Sequence, residues 1–289
     1  MNTTILSILM GIGGMVGWGI YDFLGGVFAK QIGPFKSFFW SQLSGLISIL
    51  LLALIFTISV DVSFLAIILL AISAIIYAVG YLLFFKGFEK GNVSIVAATM
   101  NLWAVFTMLF AFIFMGQRLS PIQTVGVLMI ISGATLASLN WSEIRNKRFT
   151  LSAGVKETII GAFFFGVFWN ISEIITEEIG WLLTTLFVKF GIILFLLIFC
   201  FLVKREINLS GTTTQTKYML MLMGIVEVSA VAFINYGLTI GNAILVTPIA
   251  SALSVVTITL AIIFLKEKIT KLQGFGIVMA ITGIIVTAF

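Results

Sequence analysis

The chain has 289 residues, 61% of them hydrophobic and only 9% charged, with a net charge of +5. Soluble domains carry about 45–50% apolar and about 25% charged residues, so this composition excludes an ordinary soluble domain, a disordered chain and a nucleic-acid binder. There is no histidine, and the single cysteine, Cys200, excludes a disulfide framework. With Asp22 and Asp61 as the only aspartates, zinc catalysis and histidine-based acid–base chemistry are not expected. The chain is read as a non-enzyme with no catalytic residue, metal or cofactor.

A hydrocarbon core of about 30 Å needs about 20 apolar residues in a helix. Ten stretches qualify: residues 5–29, 37–60, 62–86, 91–115, 121–140, 154–176, 180–203, 217–240, 243–265 and 271–288. These are spans 1 to 10. The N-terminus lacks a basic n-region and a clear cleavage site, so span 1 reads as a retained helix rather than a signal peptide. Connections are short; the longest polar stretches run from Asn140 to Ser152 and from Lys204 to Lys217. Fourteen of the sixteen Lys and Arg residues lie in the loops after odd-numbered spans; Arg118 is on the other side and Lys189 is inside span 7. The positive-inside rule then puts the odd loops in the cytoplasm and both termini outside. The expected protein is a multi-pass integral component of a prokaryotic cell membrane.

Residues 87–139 align without a gap over residues 237–289, and 14 of 53 positions are identical, including Gly87, Gly91, Asn92, Gly126 and Gly133. Trp18-x3-Asp22 corresponds to Trp169-x3-Glu173 at an offset one residue larger. Each half holds five spans, an odd number, so the second half is upside down relative to the first. The fold class is therefore an all-α polytopic membrane protein, with ten transmembrane helices in two inverted five-helix repeats. Residues 1–140 form the first repeat, 141–153 a cytoplasmic linker and 154–289 the second repeat.

GWGIYDFLGG in span 1, with GQRLSPIQTVGVLMIISG and KEKITKLQGFGIVMAITG at the ends of the repeats, resembles the EamA-type drug/metabolite transporter superfamily. The likeness covers the whole chain. The family's usual Gly-Glu-Arg stands here as Gly116-Gln117-Arg118 and Lys266-Glu267-Lys268. The resemblance implies a basket-like secondary transporter whose central cavity is lined mainly by spans 1, 3, 4, 6, 8 and 9. It implies no single substrate, since members move amino acids, nucleotide sugars, triose phosphates, choline and other small metabolites. Ten-helix relatives are usually drawn with cytoplasmic termini; the charge count here gives the reverse.

Ionisable side chains at membrane depth are costly and mark function by default. Asp22, Glu173, Lys189 and Glu227 lie well inside spans. At about 1.5 Å per residue, Glu227 sits roughly 15 Å into span 8, near the midplane, and Lys189 and Glu173 share the outer half and could pair. Glu227, as a lone midplane carboxylate, is the candidate proton-coupling residue. The structural alternative is an ion pair that fixes helix packing, including a buried Glu227–Lys189 pair. Substrate-binding candidates are Trp18, Asp22, Tyr77, Tyr81, Asn101, Trp103, Trp169, Asn170, Glu173, Lys189 and Asn235. Simple helix-to-helix hydrogen bonds explain the aromatic and amide members equally well. Trp40, Trp141 and Trp181, near span ends, read as interface anchors. Pro248 is expected to kink span 9, and its repeat partner is Ala98, so the two hairpins need not be mechanically equivalent.

These features point to a secondary-active transporter that moves a small polar or amphipathic metabolite by alternating access, with a proton as a possible coupling ion. Its partners are a small-molecule substrate and the lipid bilayer. Three internal acids and one lysine favour a cationic or zwitterionic ligand over a multivalent phosphate. A channel or lipid scramblase is the main alternative. Tyr21-Asp22 is superficially similar to an intramembrane aspartyl protease motif, but the second Asp motif such an enzyme needs is absent.

The topology is testable with single cysteines on a Cys200→Ser background. An impermeant thiol reagent applied to intact cells should label a cysteine at position 289 and spare one in the 140–152 loop; the reverse pattern would invert the orientation.

Overall fold

The computed structural model describes residues 3–56, 62–114, 120–138, 151–240, 250 and 252–286. All the long elements among them are helices: α1 (Thr3–Ile32), α2 (Pro34–Ala53), α3 (Phe64–Lys90), α4 (Val93–Met100), α5 (Leu102–Phe114), α6 (Pro121–Ser138), α7 (Val155–Val203), α8 (Thr214–Ile240), α9 (Leu253–Leu265) and α10 (Lys271–Val286). Among the described residues, six stretches are long and apolar enough to cross a membrane: Leu9–Ile32, Pro34–Ala53, Phe64–Lys90, Val93–Phe114, Val155–Val203 and Thr214–Ile234. The apolar helices at Pro121–Ala137, Leu253–Leu265 and Lys271–Val286 are shorter. Arg118, Pro248, Ser251 and the stretch from Leu139 to Thr150 lie outside the described residues.

Spans 4, 6, 7 and 9 differ from the sequence expectation. Spans 6 and 7 form the continuous α7, interrupted only at Gly180, whose φ of 77° an L side chain rarely adopts. The chain reverses there. Its first half runs antiparallel to α3, from Ala153 against Gly91, through Thr158 against Gly87, to Glu178, which accepts from the Ser63 amide. Its second half returns alongside α3, with Gly191 against Ala74. Span 4 is broken into α4 and α5 at Asn101, without a proline. Span 9 restarts at Leu253 after Ala252, close to the repeat-related position. Asn101 Nδ2 donates to Ser254 Oγ across the two breaks, at 3.1 Å.

The repeat has a direct geometric signature. Ser120 and Gln123 cap the start of α6 reciprocally: the Ser120 amide donates to Gln123 Oε1, and the Gln123 amide to Ser120 Oγ. Thr270 and Gln273 do the same for α10. These are capping boxes 150 residues apart. α6 and α10 then cross on glycine. A Cβ on Gly133 would lie 2.6 Å from the Gly276 carbonyl oxygen, and one on Gly283 would lie 2.7 Å from that of Gly126. Adding 150 to one member of the first pair and subtracting 150 from the other yields the second pair. Such exchanged contacts are what a two-fold relation between the halves produces. Trp18 and Trp169, related by the repeat, touch each other edge-on at 6.1 Å.

The ends of the odd-numbered spans meet on one face. Lys30 approaches Glu267 at 3.9 Å and Lys36 approaches Glu206 at 3.8 Å. Lys90 pairs with Glu157, and Trp40 Nε1 donates to the Ile207 carbonyl. This basic face is at the opposite end of α3 from Ser63 and Glu178. Large apolar side chains such as Leu54, Phe64, Phe201 and Val278 stand exposed around the periphery, as a lipid-facing surface requires.

The α6–α10 crossing predicts its own mutational response. Gly133→Ala should cost about 1–3 kcal/mol, because its Cβ meets backbone that cannot move aside. Gly274→Ala on the same helix pair meets nothing nearer than 3.8 Å and should leave the melting temperature unchanged or raise it. Thermal unfolding in detergent checks both.

Candidate functional site

Small residues bring α2, α7 and α8 together at one depth. A Cβ on Gly224 would lie 2.3 Å from the Ser41 carbonyl oxygen, so α8 packs backbone to backbone on α2. A Cβ on Gly45 would lie 3.3 Å from Lys189 Nζ and 3.4 Å from Glu227 Oε2. The glycines thus leave room for two long charged side chains where two bulky helices would otherwise meet.

Those side chains form a buried ion pair. Lys189 Nζ, on α7, donates to Glu227 Oε2, on α8, at 2.5 Å. The pair is almost entirely out of solvent, with Lys189 3% and Glu227 1% exposed. Burying two charges is favourable only when their remaining bonding sites are filled. Here each charge has one further partner: Lys189 also donates to Gln42 Oε1 at 2.9 Å, and Tyr77 donates to Glu227 Oε1 at 2.9 Å. Gln42 Nε2 donates in turn to Tyr21 Oη at 2.9 Å, and Tyr21 Oη lies 3.2 Å from Ser41 Oγ. One network therefore ties α1, α2, α3, α7 and α8. Tyr77 and Glu227 are repeat partners, 150 residues apart, so the network sits where related positions of the two halves meet.

An aromatic chain leads away from it. Tyr77 packs on Tyr81 at 4.8 Å and on Phe168 at 4.9 Å. Phe168 meets Trp169 at 5.3 Å, and Trp169 meets both Trp18 and Trp103. These tryptophans are half-buried. Asn170 Nδ2 donates to the Thr107 and Gly166 carbonyls. Three buried polar atoms in this region have no hydrogen-bond partner among the described residues: Asp22 Oδ1, Trp169 Nε1 and Asn170 Oδ1.

The sequence candidates thus divide. Tyr77, Lys189 and Glu227 share the network; Tyr81, Trp169, Trp18 and Trp103 continue it through ring contacts. Asn101 joins the two broken spans instead, and Asp22 is buried with its Oδ1 unpaired. Two expectations are corrected. Glu227 is not a lone carboxylate, because both of its oxygens are engaged. Lys189 pairs with Glu227 and not with Glu173, which is exposed; a shared depth does not bring side chains together when their helices present different faces. The side chain of Asn235 lies outside the described residues.

Gln42, Tyr21 and Ser41 were missed. Gln42 lies barely a turn and a half inside span 2 as drawn, so it read as a span end; its polarity in an apolar run was the available signal. Glu267 was noted only as a motif remnant, yet its carboxylate accepts the amides of Val93 at 2.6 Å and Ser94 at 2.8 Å. It thereby clamps the start of α4, in the first repeat, from the loop of the second, with Lys30 beside it. A cavity of about 490 Å³ opens on this face among Lys30, Glu89, Lys90, Asn92, Ser152 and Gln273.

Comparison with known proteins gives three results. The profile of the EamA-like transporter family matches residues 5–139 and again residues 153–289. An uncharacterized protein of Methanocaldococcus jannaschii is 32% identical over 130 residues, 44% of this chain and 90% of that protein. A crystal structure superposes over 97% of both chains with a TM-score of 0.65 at 14% identity, a likeness of fold alone.

The network predicts an asymmetric response to mutation. Lys189→Met strands a buried carboxylate and should destabilise by about 3–5 kcal/mol. Tyr77→Phe removes one bond to a charged group and should cost about 1.5–3 kcal/mol. Unfolding of the purified variants, each against wild type, measures both.

Proposed function

The chain belongs to the EamA-like transporter family and is on that basis a multi-pass membrane transporter, and from this premise we propose that it is a secondary-active carrier of a small polar or amphipathic metabolite, working by alternating access. The observation that carries the reading is the buried Lys189–Glu227 pair, bonded by side chains of two further helices, at a contact between repeat-related residues. A charged network at the repeat interface is where inverted-repeat transporters place their substrate and coupling groups.

An asymmetry along span 4 supports the alternating cycle. Every residue of α4 from Val93 to Met100 is buried, as is Asn101, whereas Leu102 to Met108 in α5 are only half-buried. The half next to the basic face is packed on Gly26 and Gly87, and Glu267 fastens its end. Opening that face requires Glu267 to release the two amides. The other half, where the three tryptophans lie, is looser.

Proton coupling follows from counting charge. Asp22 and Glu227 are two buried acids, and Lys189 is a buried ammonium bonded to Glu227. A buried cluster of two carboxylates and one ammonium becomes neutral by holding one proton. We assign the coupling proton to this cluster, with Glu227 as its acid at the ion pair.

The reading is tested in proteoliposomes loaded with unlabelled metabolites and given labelled ones outside, with and without a pH gradient. The expected result is saturable counterflow without conductance, driven uphill by the gradient. Glu227→Gln should abolish the uphill component. Ohmic conductance without saturable exchange would establish a channel and overturn the proposal.

A further inference from the structure

We propose that the cavity beside Trp40 binds one anionic phospholipid, its headgroup at Lys217 and an acyl chain laid over Leu220 and Met221. Such a site requires only that the chain is embedded in a bilayer, and it is separate from the carrier cycle.

The segment that follows α7 builds the site. That helix ends at Val203, with Lys204 in the left-handed region at a φ of 52°, and the chain runs without helix to the start of α8 at Thr214. Trp40, on α2, donates its indole Nε1 to the Ile207 carbonyl at 2.8 Å. The Thr212 amide closes a turn on the Leu209 carbonyl at 3.1 Å. These bonds hold the segment beside α2 and α8. They leave a cavity of about 510 Å³ whose lining includes Trp40, Asn208, Leu209, Lys217, Leu220 and Met221. Small-molecule pockets have volumes of this order.

The lining has a charged end and an apolar floor. Lys217, Leu220 and Met221 stand at i, i+3 and i+4 of α8, so they share one helix face. Lys217 is exposed and forms no ion pair among the described residues. Leu220 is buried, while Met221 is 54% exposed. The ammonium is therefore one helical turn nearer the basic face than the apolar pair, which is the order of headgroup and acyl chain in a leaflet. The indole of Trp40 lies at the same level, as tryptophans at a membrane interface do. Met221 continues into Leu222 and Ile225, both exposed, so the α8 wall of the cavity runs on into a lipid-facing stripe.

Charge selects among lipids. Between Lys204 and Lys217 the chain holds three basic residues and the single acid Glu206, and Glu206 already faces Lys36 at 3.8 Å. A zwitterionic headgroup would bring its own cation into this positive field, whereas an anionic headgroup adds only attraction. A soluble phosphate satisfies Lys217 but leaves the Trp40 ring, Leu220 and Met221 without an apolar occupant. A lipid satisfies both ends of the cavity.

The test uses purified full-length protein in a neutral detergent with three probes: dioleoyl phosphatidylglycerol, dioleoyl phosphatidylcholine and glycerol 3-phosphate. Native mass spectrometry counts the molecules retained on each protein. We expect one phosphatidylglycerol, held at least about fivefold more tightly than phosphatidylcholine, and no retained glycerol phosphate. Lys217→Gln, at an exposed position, should keep the wild-type melting temperature without lipid and lose the preference. Lys268→Gln removes the same charge from an exposed residue outside the cavity and should keep it. Equal retention of the two lipids would overturn the proposal, and so would equal losses in the two variants, which mark diffuse surface attraction. Glycerol phosphate bound through Lys217 would make the site one for a soluble anion. A lipid-free dimer that shields Lys217 from amine labelling would assign the face to a second copy of the chain; either result overturns the lipid.

Discussion

A lysine ammonium and a glutamate carboxylate, 2.5 Å apart in the middle of an apolar bundle, set conditions on everything packed around them. Neither charge is stable there alone, and the pair is tolerable only with its remaining sites filled. Gln42 and Tyr77 each supply a further bond to it, which fixes the relative heights of α2, α3, α7 and α8. That register in turn demands close approach, and Gly45 and Gly224 provide it. The charged pair is thus an organising feature of the helix packing.

The two-fold relation explains why the pair lies where it does. Residues on such an axis meet their own repeat partners, and the chain shows this twice: Trp18 with Trp169 and Tyr77 with Glu227. The first pair keeps the same side chain in both halves. The second has diverged into a donor and an acceptor, which lets symmetry-related positions bond to one another. A pair of tyrosines or a pair of glutamates at that spot would leave like groups facing each other. Divergence at the axis is therefore how a symmetric scaffold acquires a directional site.

The same scaffold is asymmetric along its axis. At the basic face, a carboxylate from the second repeat holds the start of α4 in the first, and a completely buried helix backs it. Charge-assisted bonds to the free amides at a helix N-terminus are strong. The repeat counterpart of Glu267 in the sequence, Gln117, is a neutral amide outside the described residues.

How much of this was legible beforehand depended on the range of the interaction. The apolar runs, the alternation of basic loops and the gap-free match of residues 87–139 with 237–289 are properties of the chain read in order. They determined an all-helical membrane protein of two repeats, and its family. They also marked Tyr77, Lys189 and Glu227, because ionisable and hydroxyl groups at membrane depth stand out against their surroundings. Partner choice was not legible. Depth along a helix is counted from sequence at about 1.5 Å per residue, but the direction a side chain faces depends on how each helix is rotated against its neighbours. Depth alone allowed Glu173 as the mate of Lys189, while the packing of Gly224 on Ser41 turned Glu227 toward it instead. The break at Asn101 and the bonds from Glu267 were equally hidden, since each exists only through a contact with a residue more than 150 positions away. The sequence by itself determined which groups must be buried in the membrane; the tertiary structure alone decided which of them compensate one another, because that is settled by rotation and close approach of helices that the linear pattern does not encode.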